Sequence, residues 1–155
     1  MTASLFLREL DFDQAPWPLL LLADPSREQV DRYLRQSCLL ALSDGEHTLG
    51  VVVITPRGEG TAEITNLAVD EAWQGRGVGR RLLESAIGHA RAGGLCRLTI
   101  ATGNSSLAQL GLYQRVGFRI VGIEPDYFVR HYPEPIFENG IHCRDQIRLA
   151  LELKP

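Results

Sequence analysis

Ile64-Thr65-Asn66-Leu67-Ala68-Val69, followed after a short gap by Gln74-Gly75-Arg76-Gly77-Val78-Gly79-Arg80-Arg81, is the stretch that decides the fold. The first part is an apolar, β-branched run and reads as a strand within Ala62–Val69. The second is glycine-rich, and behind it Val78, Leu82, Leu83, Ala86, Ile87 and Ala90 recur at helical spacing. A strand, a tight turn and a helix in this order aim several free backbone N–H groups at one point, with the positive end of the helix dipole behind them. Gly77 and Gly79 permit close backbone approach, while Arg76, Arg80 and Arg81 add positive charge at the first turn. The segment is suited to a phosphate, and a pyrophosphate is its natural guest.

Two common phosphate loops do not fit. A Walker A loop closes on Gly-Lys-Ser/Thr, where this chain has Gly79-Arg80-Arg81. The dinucleotide fingerprint GxGxxG, started at Gly75, requires a third glycine where Arg80 stands, and no carboxylate near Leu95 is available for a ribose hydroxyl.

Working outward, Leu5–Leu10, Cys38–Leu42, Leu49–Thr55, Leu95–Ala101, Phe118–Ile123 and Arg144–Leu151 carry strand patterns. Asp44-Gly45 marks a turn that makes the second and third of these antiparallel neighbours, and Pro56 to Gly60 reads as the next turn. Ser26 stands three residues before Gln29, a capping pattern, and Val30, Tyr33 and Leu34 extend a helix to about Gln36. Ser105 to Val116 forms another helix, ended by Gly117. Pro16-Trp17-Pro18 reads as a break in regular structure, and Glu124 to His142 as an ordered loop with some extended backbone. Strands first, then strand-helix-strand-helix-strand, predict one α/β (α+β) domain over residues 1–155, a mixed, mostly antiparallel central sheet flanked by helices.

The turn and its surroundings resemble the GNAT family of N-acetyltransferases, whose signature is Gln/Arg-x-x-Gly-x-Gly/Ala between a strand and a helix. Gln74-Gly75-Arg76-Gly77-Val78-Gly79 matches it, and Leu112-Tyr113-Gln114-Arg115-Val116-Gly117-Phe118 is similar to the family's downstream Leu-Tyr-x-x-x-Gly-Phe element. The resemblance covers roughly residues 48 to 123. It implies acetyl-CoA as cosubstrate, with the pyrophosphate wrapped by Gln74 through Arg80 and the pantetheine arm paired to the backbone of Leu67, Ala68 and Val69. The Val69 N–H would polarise the thioester carbonyl, and Tyr113 would protonate the departing thiolate. A phenol near pKa 10 and an alkyl thiol near 8.5 are close enough for that step without strong perturbation of the tyrosine. Glu63 corresponds to a glutamate that acts as general base in some members. Where many members carry an asparagine toward the pantetheine this chain has Ser106, so either Ser106 or the nearby Asn104 is expected there. Both also read as residues that cap a helix. The implied activity is acetyl transfer to a primary amine; a non-catalytic acyl-CoA sensor is the alternative.

The acceptor is less legible. Between Glu124 and Gln146 there are five acidic residues against Arg130 and Arg144, with Tyr127, Phe128, Tyr132 and Phe137 interleaved. Carboxylates and aromatic faces together hold ammonium groups, which points to a small-molecule or peptide amine of cationic character, with Tyr127, His131 and Glu138 as candidate contacts. A net charge of -3 provides no field for nucleic acid or an acidic membrane surface. No Cys or His spacing matches a metal site, so no metal is predicted. Cys38, Cys96 and Cys143 are expected to be reduced and mostly buried. Met1 to Leu5 lacks a basic region followed by a long apolar run, and the cytoplasm is the expected compartment. A homodimer is compatible with these features.

Overall fold

The computed structural model describes residues 4–153. In chain order the elements are β1 (Phe6–Leu10), α1 (Trp17–Ala23), α2 (Arg27–Leu34), β2 (Cys38–Ser43), β3 (Thr48–Gly58), β4 (Thr61–Val69), α3 (Val78–Ala92), β5 (Arg97–Gly103), α4 (Leu107–Val116), β6 (Arg119–Glu124), α5 (Tyr127–His131), β7 (Phe137–Glu138), β8 (Ile141–His142) and β9 (Gln146–Glu152). Seven strands form one sheet in the order β1-β2-β3-β4-β5-β9-β6, and β7 and β8 form a separate hairpin. Within the large sheet only β4 and β5 run parallel; the other neighbours are antiparallel. The mixed, mostly antiparallel sheet with helices on both faces is the fold class expected from the sequence.

Alternation along β3 gives each face its own core. Val52 and Ile54 pack with Leu82, Leu83, Ala86 and Ala90 of α3, whereas Val51 and Val53 pack with Leu20, Val30 and Leu34 of α1 and α2. In β4 the parity changes part-way. Ile54 faces Ile64 and Val53 faces Asn66, so Thr65 is an extra residue that bulges the strand. Before the bulge Ala62 and Ile64 point toward α3; after it Leu67 and Val69 do, and Ala68 turns to the α1/α2 face. The bulge thereby sets which peptide groups at the end of β4 face β5.

Three local expectations are corrected. Pro16-Trp17-Pro18 does not interrupt regular structure but starts α1, with Pro18 in the first turn, where a missing N–H leaves no helical bond unmade. Pro56 lies inside β3, not in a turn; β2 pairs with β3 only as far as Cys38 opposite Ile54, so on that side Pro56 has no ladder bond to interrupt. The segment Glu124 to His142, read as a loop, contains α5 and the β7–β8 hairpin, whose Asn139-Gly140 turn holds φ of 54° and 73°. That Asn-Gly pair is a strong hairpin signal in sequence. Of the cysteines, Cys143 is buried and Cys38 and Cys96 are half-buried, all as free thiols.

Gly50 of β3 lies under the start of α3. A Cβ there would stand 2.7 Å from Leu82 Cδ1, 3.0 Å from the Ala68 carbonyl oxygen and 3.1 Å from Val78 Cγ1. The leucine end can yield, but the β4 backbone can do so only by moving the strand. Gly50→Val is therefore expected to cost about 1–3 kcal/mol, the usual range for overpacking. A thermal melt reads the effect, and an unchanged Tm would contradict this packing.

Candidate active site

The site is built on the end of β4. Asp70 N–H donates to the Leu49 carbonyl at 2.8 Å, and in the same register Gly50 faces Val69, Val51 faces Ala68 and Val52 faces Leu67. Bonded and non-bonded pairs alternate in an antiparallel ladder. With Leu49–Asp70 a bonded pair, Ala68 directs its peptide groups at Val51, while Leu67 and Val69 turn theirs away from β3. On that side β5 has parted from β4: the parallel ladder joins Thr61–Ile64 to Arg97–Ile100 and stops, although β4 continues to Val69 and β5 to Gly103. The gap therefore presents N–H and C=O groups of Leu67 and Val69. Gln74 Nε2 donates to the Val69 carbonyl at 3.1 Å, leaving the Val69 N–H as the donor. The expectation for Ala68 is corrected here, because its backbone belongs to the β3 ladder.

The glycine turn continues from this strand end. Gly75 and Gly77 have φ of 76° and 83°, in the left-handed region that suits glycine. No side chain caps α3, and its first helical bond runs from Arg81 N–H to the Gly77 carbonyl. The N–H groups of Val78, Gly79 and Arg80 thus have no acceptor within the helix. Arg76 stacks over Trp73 at 4.9 Å, and Arg80 is 3.7 Å from Glu84. A Cβ on Gly79 would lie 3.7 Å from Val69 Cγ2 and 3.8 Å from Leu112 Cδ2, which brings the strand end, the turn and α4 together.

Beside the gap is a cavity of about 660 Å³ whose walls include Glu63, Leu67, Ser106, Tyr113, Tyr127 and Glu138. Tyr113 is held by α4, whose end is fixed by Phe118 N–H donating to the Tyr113 carbonyl at 3.0 Å. The residue is 5% exposed, and burial pushes its hydroxyl from the ordinary 10.0 up to about 12. The phenol is thus more strongly perturbed than the sequence reading supposed. The neutral tyrosine is favoured in the fold, so the associated stability is complete below pH 10 and lost as pH rises toward 12. A chemical-denaturation series across that window is expected to show a fall in stability that is smaller by about 2–3 kcal/mol in Tyr113→Phe than in wild type, the remainder coming from groups such as Tyr33 and Cys38, which are also pushed up to about 12.

Glu63 Oε1 accepts the Arg57 Nε–H at 3.0 Å, so the carboxylate reaches the cavity as half of an ion pair. Ser106 and Ser105 hydroxyls donate to Glu138 Oε1 at 2.7 and 3.3 Å. Asn104 is committed elsewhere. Its Nδ2 donates to the His142 carbonyl at 3.1 Å, and its Oδ1 accepts Arg144 and Asp145 N–H at 2.8 and 2.9 Å. Of the two candidates for the family's asparagine, Ser106 is the one on the cavity wall. His131 also departs from expectation: it stacks on Tyr127 at 4.2 Å and contacts the Tyr127 carbonyl through Nδ1 at 2.8 Å, and it is not among the cavity-lining residues.

The cavity adds residues that were not singled out from the sequence, Asp24, Tyr33 and Asn66. Their signals are weak in sequence because they converge from the α1–α2 connection, α2 and the bulged strand. Among the described residues, Glu9, Cys38 and His89 bring metal-ligating atoms within 4.8 Å of one another. None lines the cavity, and burial, followed by the Glu9 contact, pushes the Cys38 thiol up to about 12, which opposes the thiolate a metal needs. No helix of the described residues is long and apolar enough to cross a membrane.

Residues 5–118 match the model of the acetyltransferase (GNAT) family. The chain belongs to the GNAT family. It is 50% identical over 138 residues to the uncharacterized N-acetyltransferase YvbK of Bacillus subtilis strain 168, covering 88% of each chain. Among solved structures it is similar to an acetyltransferase of Elizabethkingia anophelis with acetyl-CoA bound, at TM-score 0.92 and 43% identity, covering 96% of this chain and 98% of that one. The IAA acetyltransferase of Bacillus cereus ATCC 14579 gives TM-score 0.94 and 45% identity over 97% of this chain and 100% of that one. A GNAT reading accounts for the parted strands and the uncapped glycine turn together.

Proposed function

We propose that this GNAT chain transfers acetyl from acetyl-CoA directly to a primary amine, with no acyl-enzyme. The observation that carries this reading is the parting of β4 from β5 after Ile64 and Ile100, which leaves the Val69 N–H free beside a cavity that contains Tyr113 and Glu63. In this reading the pyrophosphate takes the free N–H groups of Val78, Gly79 and Arg80 at the start of α3. The pantetheine amides pair with the backbone of Leu67 and Val69. The Ser106 hydroxyl, already donating to Glu138, accepts a pantetheine N–H.

The reacting thioester then has its carbonyl oxygen at the Val69 N–H, a donor aimed at the charge that develops on attack. The neutral amine attacks the carbonyl carbon, the C–S bond breaks while Tyr113 donates a hydrogen bond to the leaving thiolate, and the proton that the acylated nitrogen loses passes through solvent to that thiolate, giving the amide and free CoA thiol. An amine arrives as ammonium at neutral pH, and Glu63 takes its proton directly or through water. The cavity walls carry Asp24, Glu63 and Glu138 against Arg32 and Arg57, an excess of one negative charge that favours a cationic acceptor over an anionic one. Assaying free CoA with acetyl-CoA and a panel of small amines tests the proposal. Amine-dependent CoA release is expected; tight acetyl-CoA binding with no release for any amine would support the sensor reading instead.

A further inference from the structure

Asp24 brings a carboxylate to the cavity wall from the connection between α1 and α2. Its Oδ1 accepts the Ser26 N–H at 3.0 Å and the Tyr132 hydroxyl at 3.2 Å, and no cationic side chain among the described residues pairs with it. The two arginines on the same wall are already engaged, Arg32 with Glu28 and Arg57 with Glu63, each at 3.0 Å. Asp24 therefore faces the cavity as a carboxylate without a counter-charge.

Three tyrosines besides Tyr113 share the cavity with it. Tyr33, Tyr127 and Tyr132 all line the cavity. Burial is the first cause that raises their hydroxyl pKa values, and the Asp24 charge is the next raising cause for each, so its field covers all three rings. Tyr33 Oη accepts Asn66 Nδ2 at 3.1 Å and keeps a second lone pair that an ammonium can use, and Asn66 Oδ1 is buried without a partner. Tyr132 reaches Asp24 across 108 positions of sequence, joining the early helices to the α5 segment over the cavity. A carboxylate among aromatic rings is a setting that an ammonium group compensates, by charge-assisted hydrogen bonds and by attraction to the ring faces.

We propose that Asp24, with Tyr33, Tyr127 and Tyr132 around it, forms a subsite for a second positive charge on the acceptor, so that the enzyme prefers diamines to monoamines. The subsite lies at the α1–α2 wall, so one amine of the acceptor is held at Asp24 while the other is presented to the thioester. Neither Glu63 nor Tyr113 is needed for this recognition. The inference rests on the transfer reaction proposed above, and it assigns that reaction a substrate class.

The test compares putrescine and cadaverine with butylamine and pentylamine, in wild type and in Asp24→Asn. Wild type is expected to show a diamine-to-monoamine ratio of kcat/KM well above one, and Asp24→Asn to lower that ratio by roughly ten- to a hundredfold. A ratio is insensitive to the fraction of folded enzyme. Calorimetric titration of putrescine into CoA-loaded protein reads the subsite without turnover. If no amine releases CoA but putrescine binding is weakened by Asp24→Asn, the transfer reaction fails and the subsite stands. A wild-type preference for monoamines, a ratio that Asp24→Asn leaves unchanged, or putrescine binding that is absent or indifferent to Asp24 would overturn the subsite.

Discussion

Val69→Pro is expected to lower kcat by about 10²- to 10³-fold while the protein stays folded, because it deletes one backbone donor that no protein group uses. The expectation comes from the β3–β4 register, in which Val69 occupies a non-bonded pair opposite Gly50 and turns its N–H toward the gap. Proline in a central strand is ordinarily disruptive because it removes a ladder bond; at Val69 there is no such bond to remove. Loss of a single oxyanion donor costs about 2.7–4 kcal/mol of transition-state stabilisation in enzymes where it has been isolated. Ala68→Pro is the informative companion, since Ala68 directs its N–H at Val51. It should lower Tm much more than Val69→Pro. Equal destabilisation by both, or full activity in Val69→Pro, would contradict the register argument.

Tyr113→Phe is expected to lower kcat by about 10²-fold, at the low end for a general acid, with little change in the dissociation constant for acetyl-CoA. The pKa of Tyr113 decides the size. With the hydroxyl pushed up to about 12 and an alkyl thiol near 8.5, complete proton transfer to the thiolate is uphill by roughly 5 kcal/mol. In the proposed reaction Tyr113 is therefore expected to donate a hydrogen bond to the sulfur as the C–S bond opens, without giving up its proton. It also stays protonated across the physiological range, so the basic limb of a pH–rate profile should be the same in wild type and Tyr113→Phe. An unchanged kcat would remove Tyr113 from the reaction, and a basic limb present only in wild type would restore the full-transfer role.

Local chemistry made part of this site legible in the sequence. Gln74 to Gly79 needs only its own glycines and the helix behind it to form an anion-binding turn, and the apolar face of α3 was readable from spacing alone. Tyr113 was placed by the Leu-Tyr-x-x-x-Gly-Phe element, whose Gly117 ends α4 and brings Phe118 back to the Tyr113 carbonyl. What sequence could not convey depends on pairing across the chain. The bulge at Thr65 exists only relative to β3, and it is the bulge that leaves Leu67 and Val69 facing the gap while withdrawing Ala68. Asn104 has the chemistry of a cofactor ligand, yet its partners lie about 40 residues away and use both ends of its amide. Asp24 carries no local signal, and it becomes a candidate only because Tyr132 and the cavity meet it in three dimensions.

Two misreadings have a local cause. The prolines near Trp17 read as breakers in the sequence, although a proline in the first turn of a helix is compatible with it. The Asn139-Gly140 pair was available as a hairpin signal inside the segment read as a loop, and that hairpin places Glu138 against Ser105 and Ser106.

Direct transfer at the parted strands is tested by single-turnover mixing of the protein with acetyl-CoA labelled in its acetyl group and a reactive amine. The label should move from the thioester to the amine as free CoA appears in equal amount, with none on the protein at any time. Acetyl label that first accumulates on the protein and then chases into the product would contradict it.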